Sequence, residues 1–297
     1  MRAGIFVIIM GLAGLACPAN AETETATRVV RGFSHPESVL IDGQRRFVSN
    51  LGAMRDPFGH DGDGFISELD ADGRIVALRA FPREGKKLDS PKGMAVLDGR
   101  LYVADINRVV GFDLATREQV FEARVPGDEP TLLNDMVVAH GAMIVSDTLR
   151  GKLYRVDIAD GAFTVFADGL PGANGVAWDA VKNRILINGV GADFAGGDLF
   201  EVNGAGVVHR LEHGPHGLFD GIAVLGDGRI VVSDWLTFAR PAAGAITIHA
   251  ADGSGGVRFE AGLDIHGPAD FAVDEASRSI WIPAMVDNEV VIAPFGP

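Results

Sequence analysis

The chain has 297 residues, with 26 Lys or Arg against 40 Asp or Glu, which gives a formal net charge of -14 at neutral pH. Such a surface repels nucleic acid and anionic lipid, so neither is an expected partner. Glycine is abundant at 39 residues, strand-like runs recur every few residues and long helical patterns are absent. These features predict an all-β chain with many tight turns.

The first predicted element is a secretory signal peptide over residues 1–21. A basic start precedes an apolar run of about a dozen residues, and Ala19-Asn20-Ala21 then offers a small-x-small cleavage site. The run is too short for a membrane span, and no later run approaches the length that a bilayer requires. We therefore expect a mature chain of residues 22–297 without a membrane span.

Cys17 is the only cysteine, and it opens an alternative for the N-terminus. A lipoprotein signal would keep this cysteine as the lipidated first residue. Gly14, however, stands where such a signal carries a bulky aliphatic side chain, so cleavage after Ala21 is preferred. Export without disulfides is typical of a bacterial periplasm, and the protein is expected to be periplasmic or secreted.

The segment from His60 to Asp70, HDGDGFISELD, resembles the calcium-binding loop of an EF-hand. With Gly64 at the sixth position of that loop, the first position falls on Gly59, which has no ligand, and the last on an Asp that is too short. The flanks lack helical periodicity and alternate apolar and polar residues as a β-hairpin does. The sequence therefore favours a loop and strands over an EF-hand.

Six short segments with a common pattern recur along the chain at steps of 40 to 55 residues. A repeat of this length, built of short strands, is typical of a β-propeller, in which each four-stranded blade is one repeat. The segments are ESVLID from Glu37, KGMAVL from Lys92, NDMVVA from Asn134, NGVAWD from Asn174, DGIAVL from Asp220 and ADFAVD from Ala269.

A second landmark follows each segment after 13 to 15 residues, which fits one strand out, a turn and one strand back. Both landmarks are therefore expected on the same face of the disc. Because Ser-Asp at a strand end usually bonds nearby backbone groups, we interpret this second set as structural. Its members are Asn50, Asp105, Asp147, Asn188, Asp234 and Ala284.

The two ends of the chain predict how the propeller closes. After Ala284 only NEVVIAPF remains, one strand short of a blade, while TATRVVRGF precedes the first blade with nothing of its own to pair with. Joining the two would complete the last blade and remove an exposed edge. The predicted fold is one six-bladed β-propeller, closed by an N-terminal strand that completes the last blade.

The first residue of each repeat should line the mouth of the central channel, because the innermost strand of every blade borders that channel. Four of these residues carry oxygen: Glu37, Asn134, Asn174 and Asp220. Hard oxygen ligands without Cys or a His pair favour calcium or magnesium over zinc. The expected ion is calcium, with magnesium or manganese as alternatives. A cation would also relieve repulsion between converging carboxylates. Alternatively, these residues bond backbone groups at strand starts.

On these motifs the sequence resembles the gluconolactonase family, which includes senescence marker protein, also called regucalcin. The resemblance implies a six-bladed propeller with one divalent cation at its axis and, in many members, hydrolysis of sugar lactones. It implies metal ligands at Glu37 in PESV, Asn174 in NGVAW and Asp220 in FDGI, and it assigns activation of water to Asp220. Asn134, in the ND motif, would contact substrate or complete the metal shell.

Two positions depart from that family's pattern. Leu132 stands where family lactonases often carry a substrate-binding Arg, and Lys92 brings a cation into the ring. Lys92 would either form a salt bridge with Glu37 or Asp220, or point at an anionic or carbonyl group of a ligand. We therefore do not expect sugar-lactone specificity to carry over unchanged.

Three long loops are expected over the channel mouth, at residues 51–64, 189–198 and 235–244. Loops that gather on one face of a scaffold usually shape a binding site. The residues expected to contact a small-molecule substrate are Asn134 and Lys92 of the ring and, from the loops, Arg55, His60, Trp235 and Arg240.

Two functions are compatible with these residues. The first is a periplasmic, divalent-metal-dependent hydrolase of a lactone or related ester, in which the cation polarises the carbonyl and Asp220 takes a proton from water. The second is a non-catalytic propeller that binds a small molecule or a protein on its loop-rich face. Glu37, Asn174 and Asp220 favour the first function, whereas Leu132 and Lys92 favour the second.

Overall fold

A computed structural model describes residue 1 and residues 26–239 and 242–296. Its strands form six sheets of four strands each, and each sheet contacts the next around a ring. The predicted all-β, six-bladed β-propeller is confirmed. Within these residues no helix has the length and hydropathy that a membrane span requires. Most of the predicted signal peptide, Cys17 and Arg240 lie outside the described residues.

The strands of each blade pair antiparallel, from the innermost strand at the channel to the outermost at the rim. After β1 (Arg28–Arg31), blade one has β2 (Pro36–Asp42), β3 (Arg45–Asn50), β4 (Phe65–Asp70) and β5 (Ile75–Phe81). Blade two has β6 (Pro91–Leu97), β7 (Arg100–Asp105), β8 (Arg108–Asp113) and β9 (Gln119–Arg124). Blade three has β10 (Leu133–Ala139), β11 (Ala142–Asp147), β12 (Lys152–Val156) and β13 (Phe163–Asp168).

The second half of the chain repeats this order. Blade four has β14 (Ala173–Asp179), β15 (Arg184–Gly189), β16 (Phe200–Asn203) and β17 (Val208–Arg210). Blade five has β18 (Phe219–Val224), β19 (Ile230–Asp234), β20 (Ala245–His249) and β21 (Val257–Arg258). Blade six has β22 (Ala272–Asp274), β23 (Ser279–Ala284), a short 3-10 helix (Met285–Asp287), β24 (Glu289–Pro294) and, at its outer edge, β1.

Each blade packs against its neighbours through side chains that alternate along its strands. In β7, Leu101 and Val103 belong to the apolar cluster between blades one and two, whereas Tyr102 belongs to the cluster between blades two and three. Successive side chains of a strand point to opposite faces, so one strand supplies both interfaces. All three are fully buried, and burying an aliphatic side chain such as Leu101 or Val103 contributes about 1.5–3 kcal/mol.

The N-terminal strand closes the ring, as the sequence predicted. β1 pairs antiparallel with β24 along its whole length, so the last blade joins both ends of the chain. At the channel, blades six and one are linked by backbone hydrogen bonds from Val39 N to Asp270 O (3.1 Å) and from Asp270 N to Glu37 O (2.9 Å). The circle of blades is therefore continuous.

The EF-hand-like segment is a loop followed by a strand. The chain leaves β3 at Asn50 and enters β4 at Phe65, so HDGDG lies in the loop and FISELD forms β4. This loop, residues 51–64, connects the second and third strands of blade one on the face where the second strands end. The segments 190–199 and 235–244 make the same connection in blades four and five. The three long loops thus gather at one channel mouth.

Candidate functional site

The ring residues lie in β-bulges at the start of the innermost strands. In blade one, Pro36 pairs with Asn50 and Ser38 with Ser49, so Glu37 has no partner across the sheet. Blades two to five carry a register shift at the equivalent position. A bulge interrupts the alternation of side chains between the two faces of a sheet, and here it directs one side chain per blade into the channel mouth.

The polar ring residues line a single cavity of about 210 Å³. All are buried, with exposed fractions between 1% and 8%. Four larger depressions, of about 310, 370, 410 and 500 Å³, lie elsewhere on the surface and contain no ring residue. We place the candidate site at the ring because buried polar side chains from five blades converge on this cavity. Its ring residues are Glu37, Lys92, Asn134, Asn174 and Asp220.

Burial raises the pKa values of the ring carboxyls. It raises the pKa of Asp220 to about 7, against a hydrogen bond from Trp235 Nε1 to Asp220 Oδ2 (2.8 Å) that lowers it. Burial is also the main reason that the pKa of Glu37 lies well above its usual range, and the charge of Asp220 raises it further while Lys92 lowers it. A bound cation would favour the ionised forms of both carboxyls.

The oxygen atoms of the ring fit a hard divalent cation. Glu37 Oε2 and Asn174 Oδ1 are buried, and within the described residues neither has a hydrogen-bond partner. The Asn174 amide is held by its Nδ2, which donates to Phe219 O at 3.0 Å. Within residues 26–239 and 242–296 no group of three or more His, Cys, Asp or Glu could hold a metal ion. The ring set is instead a mixture of two carboxylates and amide oxygens.

The second landmarks bond backbone groups, as the sequence predicted. Asp105 Oδ1 accepts hydrogen bonds from Asp89 N (3.0 Å) and Ser90 N (2.8 Å), which precede the ring position of the same blade. The equivalent side chains of three other blades each accept one from the same part of the chain, at 3.0 to 3.1 Å. We call these four residues the strand-end set: Asn50, Asp105, Asp147 and Asp234.

Asn188 is not a member of this set, contrary to its position in the repeat. Gly189, rather than Asn188, pairs with Ala173 where the other blades have their strand-end residue. Asn188 lies one residue earlier, where its Oδ1 accepts from Gly175 N (2.9 Å) and its Nδ2 donates to Gly221 O (2.8 Å). It therefore links blades four and five, and the one-residue difference in spacing concealed this.

A collar of mainly apolar residues, which the sequence analysis missed, forms the wall beside the ring. Each collar residue directly follows the second strand of its blade, and its N–H donates to the carbonyl two residues before the ring position, at 2.9 to 3.1 Å. In the sequence, the collar residues could have been found from their position, because each directly follows the last residue of the second strand. The collar consists of Leu51, Thr148, Val190, Trp235 and Met285.

Lys92 replaces the missing collar bond of blade two. Ile106, at the collar position there, has a left-handed backbone (φ 57) and lines the 500 Å³ depression instead. The Nζ of Lys92 donates to the carbonyl of Ser90 (2.7 Å), the equivalent acceptor, and to Pro57 O (2.9 Å) in the loop of residues 51–64, which we call the mouth loop. Burial lowers the pKa of Lys92, and nearby carboxylates, Glu37 foremost, raise it in turn. Among the described residues, its amine forms no salt bridge with a ring carboxylate.

The loop residues expected to contact a ligand lie in different places. Arg55 lines the cavity from the mouth loop, and Trp235 lines it as a collar residue. His60 does not reach this cavity, because its Nδ1 lies 3.2 Å from Asp89 Oδ2 beside the 500 Å³ depression. Arg240 lies outside the described residues.

No protein-family model matches the sequence, and no curated protein matches it. Among solved structures, a gluconolactonase from Xanthomonas campestris aligns with a TM-score of 0.64 at 16% identity, covering 91% of this chain and 90% of that chain. The chain has the fold of that gluconolactonase. The resemblance read from the ring motifs is therefore confirmed for the fold.

A second solved fold is equally similar. Virginiamycin B lyase from Staphylococcus aureus aligns with a TM-score of 0.63 at 11% identity, covering 91% of this chain and 99% of that chain. A catalytically inactive variant of that lyase, with quinupristin, aligns with a TM-score of 0.59 at 10% identity and the same coverage. The shared propeller therefore leaves the function to be argued from the residues of the site.

Proposed function

We propose that the protein is a divalent-cation-dependent hydrolase of a lactone or related ester. The proposal is carried by the two buried oxygens without partners, Glu37 Oε2 and Asn174 Oδ1, in a cavity that they share with Asp220. Buried polar atoms are almost always hydrogen-bonded, and each unpaired one costs about 1–3 kcal/mol. In a cavity, a bound ligand can supply the missing partner.

Glu37, Asn174 and Asp220 would hold the cation, and Asn134 would complete the set of ligands. Calcium is the proposed ion, and magnesium and manganese share its preference for oxygen ligands. When bound, the cation supplies Lewis-acid polarisation of the substrate carbonyl.

Asp220 is the proposed proton acceptor. Burial raises the pKa of this carboxyl to about 7, and a bound cation would lower it and keep Asp220 in the ionised form that accepts a proton. Trp235 Nε1 fixes the carboxylate through Oδ2, and in the described residues Oδ1 accepts no hydrogen bond, so this oxygen can take the proton of the attacking water. The hydroxide equivalent adds to the carbonyl carbon, the ring C–O bond breaks, and the alkoxide that leaves takes the proton back from Asp220, so the product is a hydroxy acid.

The substrate would be contacted by residues of the ring, the collar and the mouth loop. Asn134 Nδ2 donates to Thr148 Oγ1 at 3.3 Å, which orients its amide in the cavity wall. Arg55 and Trp235 line the same cavity. Arg240 remains a candidate through its place in the loop of residues 235–244. Lys92 is assigned to holding the mouth loop, since backbone oxygens occupy its amine.

The alternative function is a propeller that binds a small molecule or a protein without catalysis. One observation favours it: the ring position of blade two holds Lys92, whose positive charge opposes that of a cation. The carboxylates Glu37 and Asp220 both interact with this charge. A site that binds a ligand but no metal would keep all the same contacts.

The experiment compares thermal unfolding in calcium and in chelator for the wild type, Asp220→Ala and Asp160→Ala, followed by a pH-stat screen of lactones. Asp160 is an exposed turn residue that serves as the matched control. We expect calcium to raise the midpoint of the wild type and of Asp160→Ala, and to leave Asp220→Ala unchanged. Equal midpoints for all three in both media would overturn the proposal, and metal binding without hydrolysis would support the alternative.

We also propose that the protein is periplasmic or secreted, with residues 1–21 removed as a signal peptide. The support is the sequence pattern of that segment alone. N-terminal sequencing of the protein recovered from a periplasmic extract should start at Glu22. A lipidated start at Cys17 would replace this proposal with membrane anchoring.

A further inference from the structure

The wall of the cavity beyond the ring is built of carbon. The collar contributes two polar side-chain atoms, and both are already paired. Thr148 Oγ1 donates to Ala173 O at 2.7 Å and accepts from Asn134 Nδ2, and Trp235 Nε1 donates to Asp220 Oδ2. Leu132, at 2% exposure, lies in the cavity wall. Lactonases of the family that the sequence resembles often carry a substrate-binding Arg at this position. The apolar side chains of the wall are Leu51, Leu132, Val190, Trp235, Phe238 and Met285.

The apolar surface continues from the collar to the rim. Phe194 and Phe238 line the cavity and are still 38% and 41% exposed, so each ring reaches from the wall to solvent. Phe238 packs against Trp235 with ring centroids 5.2 Å apart. A substituent that leaves the ring of oxygens would therefore pass over carbon along the blade-four and blade-five side of the mouth.

A polyhydroxylated substrate finds few partners on such a wall. The oxygens of the ring are needed for the cation and the ester, and Lys92 is committed to backbone carbonyls. Arg55 is the remaining charged side chain among the described cavity residues, and it lies exposed at the mouth. Each hydroxyl that loses water without gaining a partner weakens binding by roughly 5- to 100-fold.

The cavity also sets a size. A cavity of about 150 Å³ accommodates a benzene ring, and this one has about 210 Å³. It therefore accommodates a ligand on the order of ten non-hydrogen atoms, with any longer substituent over the rim.

Resting on the proposed hydrolase function, we propose that the substrate class is an apolar lactone or aryl ester rather than a sugar lactone. Leu132, the collar and the two rim phenylalanines determine this specificity. The ester group lies at the ring of oxygens, and the apolar part of the substrate lies against the collar.

The first test measures hydrolysis of two lactones of similar size by the full mature chain with calcium. Dihydrocoumarin is apolar, and glucono-δ-lactone carries hydroxyls around its ring. We expect kcat/KM for dihydrocoumarin to be at least about 100-fold higher. Equal or faster hydrolysis of glucono-δ-lactone would overturn the inference and leave the hydrolase proposal intact.

The second test places a cation on the wall. Leu132→Arg should lower kcat/KM for dihydrocoumarin at least about tenfold, because it removes apolar wall and buries a charge. Leu149→Arg is the matched control, since Leu149 is 39% exposed and lines no part of this cavity. If Leu132→Arg does not fold, Phe238→Ser at the exposed rim takes its place. This variant should also lower the preference for dihydrocoumarin over glucono-δ-lactone. Unchanged preference in a folded wall or rim variant contradicts the inference.

The third test separates binding from catalysis. The cyclic amides that correspond to dihydrocoumarin and to glucono-δ-lactone resist hydrolysis, and calorimetry reports their binding. We expect at least about tenfold tighter binding of the dihydrocoumarin lactam. If no lactone is hydrolysed and this lactam still binds, the hydrolase proposal fails and the inferred ligand class stands. If the gluconolactam binds as tightly or more tightly, or neither binds, the ligand class is wrong.

Discussion

The ring and the strand-end set both contain Asp and Asn, to which the ring adds Glu37 and Lys92, yet the side-chain oxygens of the two sets are used differently. Every member of the strand-end set accepts a hydrogen bond from backbone N–H groups at the entry to its blade. In the ring, Glu37 Oε2 and Asn174 Oδ1 accept none within the described residues. The side-chain oxygens that stabilise the fold are therefore those that accept from backbone N–H groups, and the oxygens without such donors are available to a ligand.

The largest expected effect concerns the ring. Asp220→Asn keeps the shape of the side chain and an acceptor for Trp235 Nε1, but it removes the proton acceptor and one charge. We expect kcat/KM for the best lactone to fall at least about 10³-fold, with little loss of stability in chelator. Steady-state kinetics and thermal melts measure both. Activity within tenfold of the wild type would place Asp220 with the structural residues.

The strand-end set should respond in the opposite way. Asp105 is fully buried and accepts from Asp89 N, from Ser90 N and from Arg108 Nε and Nη2 at 2.9 and 2.8 Å. Asp105→Ala leaves these donors unpaired and should lower the free energy of unfolding by about 3–5 kcal/mol. Urea denaturation measures it. Asp160→Ala, at an exposed turn, should leave the midpoint nearly unchanged, and an equal loss there would blur the distinction.

The pH dependence of stability sharpens the comparison. The pKa of Asp220 is raised by burial from 3.8 to about 7, so the folded state prefers the protonated form. The contribution of Asp220 to the free energy of unfolding is therefore complete below about pH 4. It is lost as the pH rises toward 7, by up to about 1.4 kcal/mol per pH unit. In chelator, the stability of Asp220→Asn relative to the wild type should grow over this interval.

Calcium should reverse this loss in the wild type. At a concentration 100-fold above its dissociation constant, a ligand that binds only the folded state adds about 2.7 kcal/mol. Thermal melts at pH 5, 6 and 7, with calcium or chelator, give the whole pattern. If the stabilities of the wild type and of Asp220→Asn in chelator change in parallel with pH, the Asp220 carboxyl does not titrate as inferred.

The smallest effect concerns the hydrogen bond between collar and ring. Trp235→Phe preserves an aromatic wall and removes the Nε1 donor to Asp220. That bond lowers the pKa of Asp220, so its loss should shift the acidic limb of the kcat/KM profile to higher pH. Trp178→Phe, in blade four outside the cavity, is the control and should not shift the profile.

The sequence was sufficient for the fold because each blade repeats one pattern. The ring positions recur with a nearly constant distance to the strand-end residues, and an apolar period of two marks the strands between them. The N-terminal strand could be predicted because the last blade lacked one. These signals are local, and they survive without knowledge of any contact.

The collar and the role of Lys92 were harder to predict, for a physical reason. Leu51, Val190 and Trp235 share only apolar character, so no motif reports that they meet. The Lys92 amine bonds Pro57 O, 35 residues away in the mouth loop, and the path of a loop is not encoded in a periodic pattern. For the same reason the sequence does not show that this loop turns His60 toward Asp89.

The pairing of β1 with β24 reaches beyond the rim of blade six. The ligands proposed for the cation come from blades one, four and five, and their spacing is fixed only while the circumference is intact. A four-residue strand on the outside of the disc thus maintains the spacing of the residues at its centre. Loss of the pairing between β1 and β24 would move the oxygens of the ring apart and inactivate the site without altering any residue in it.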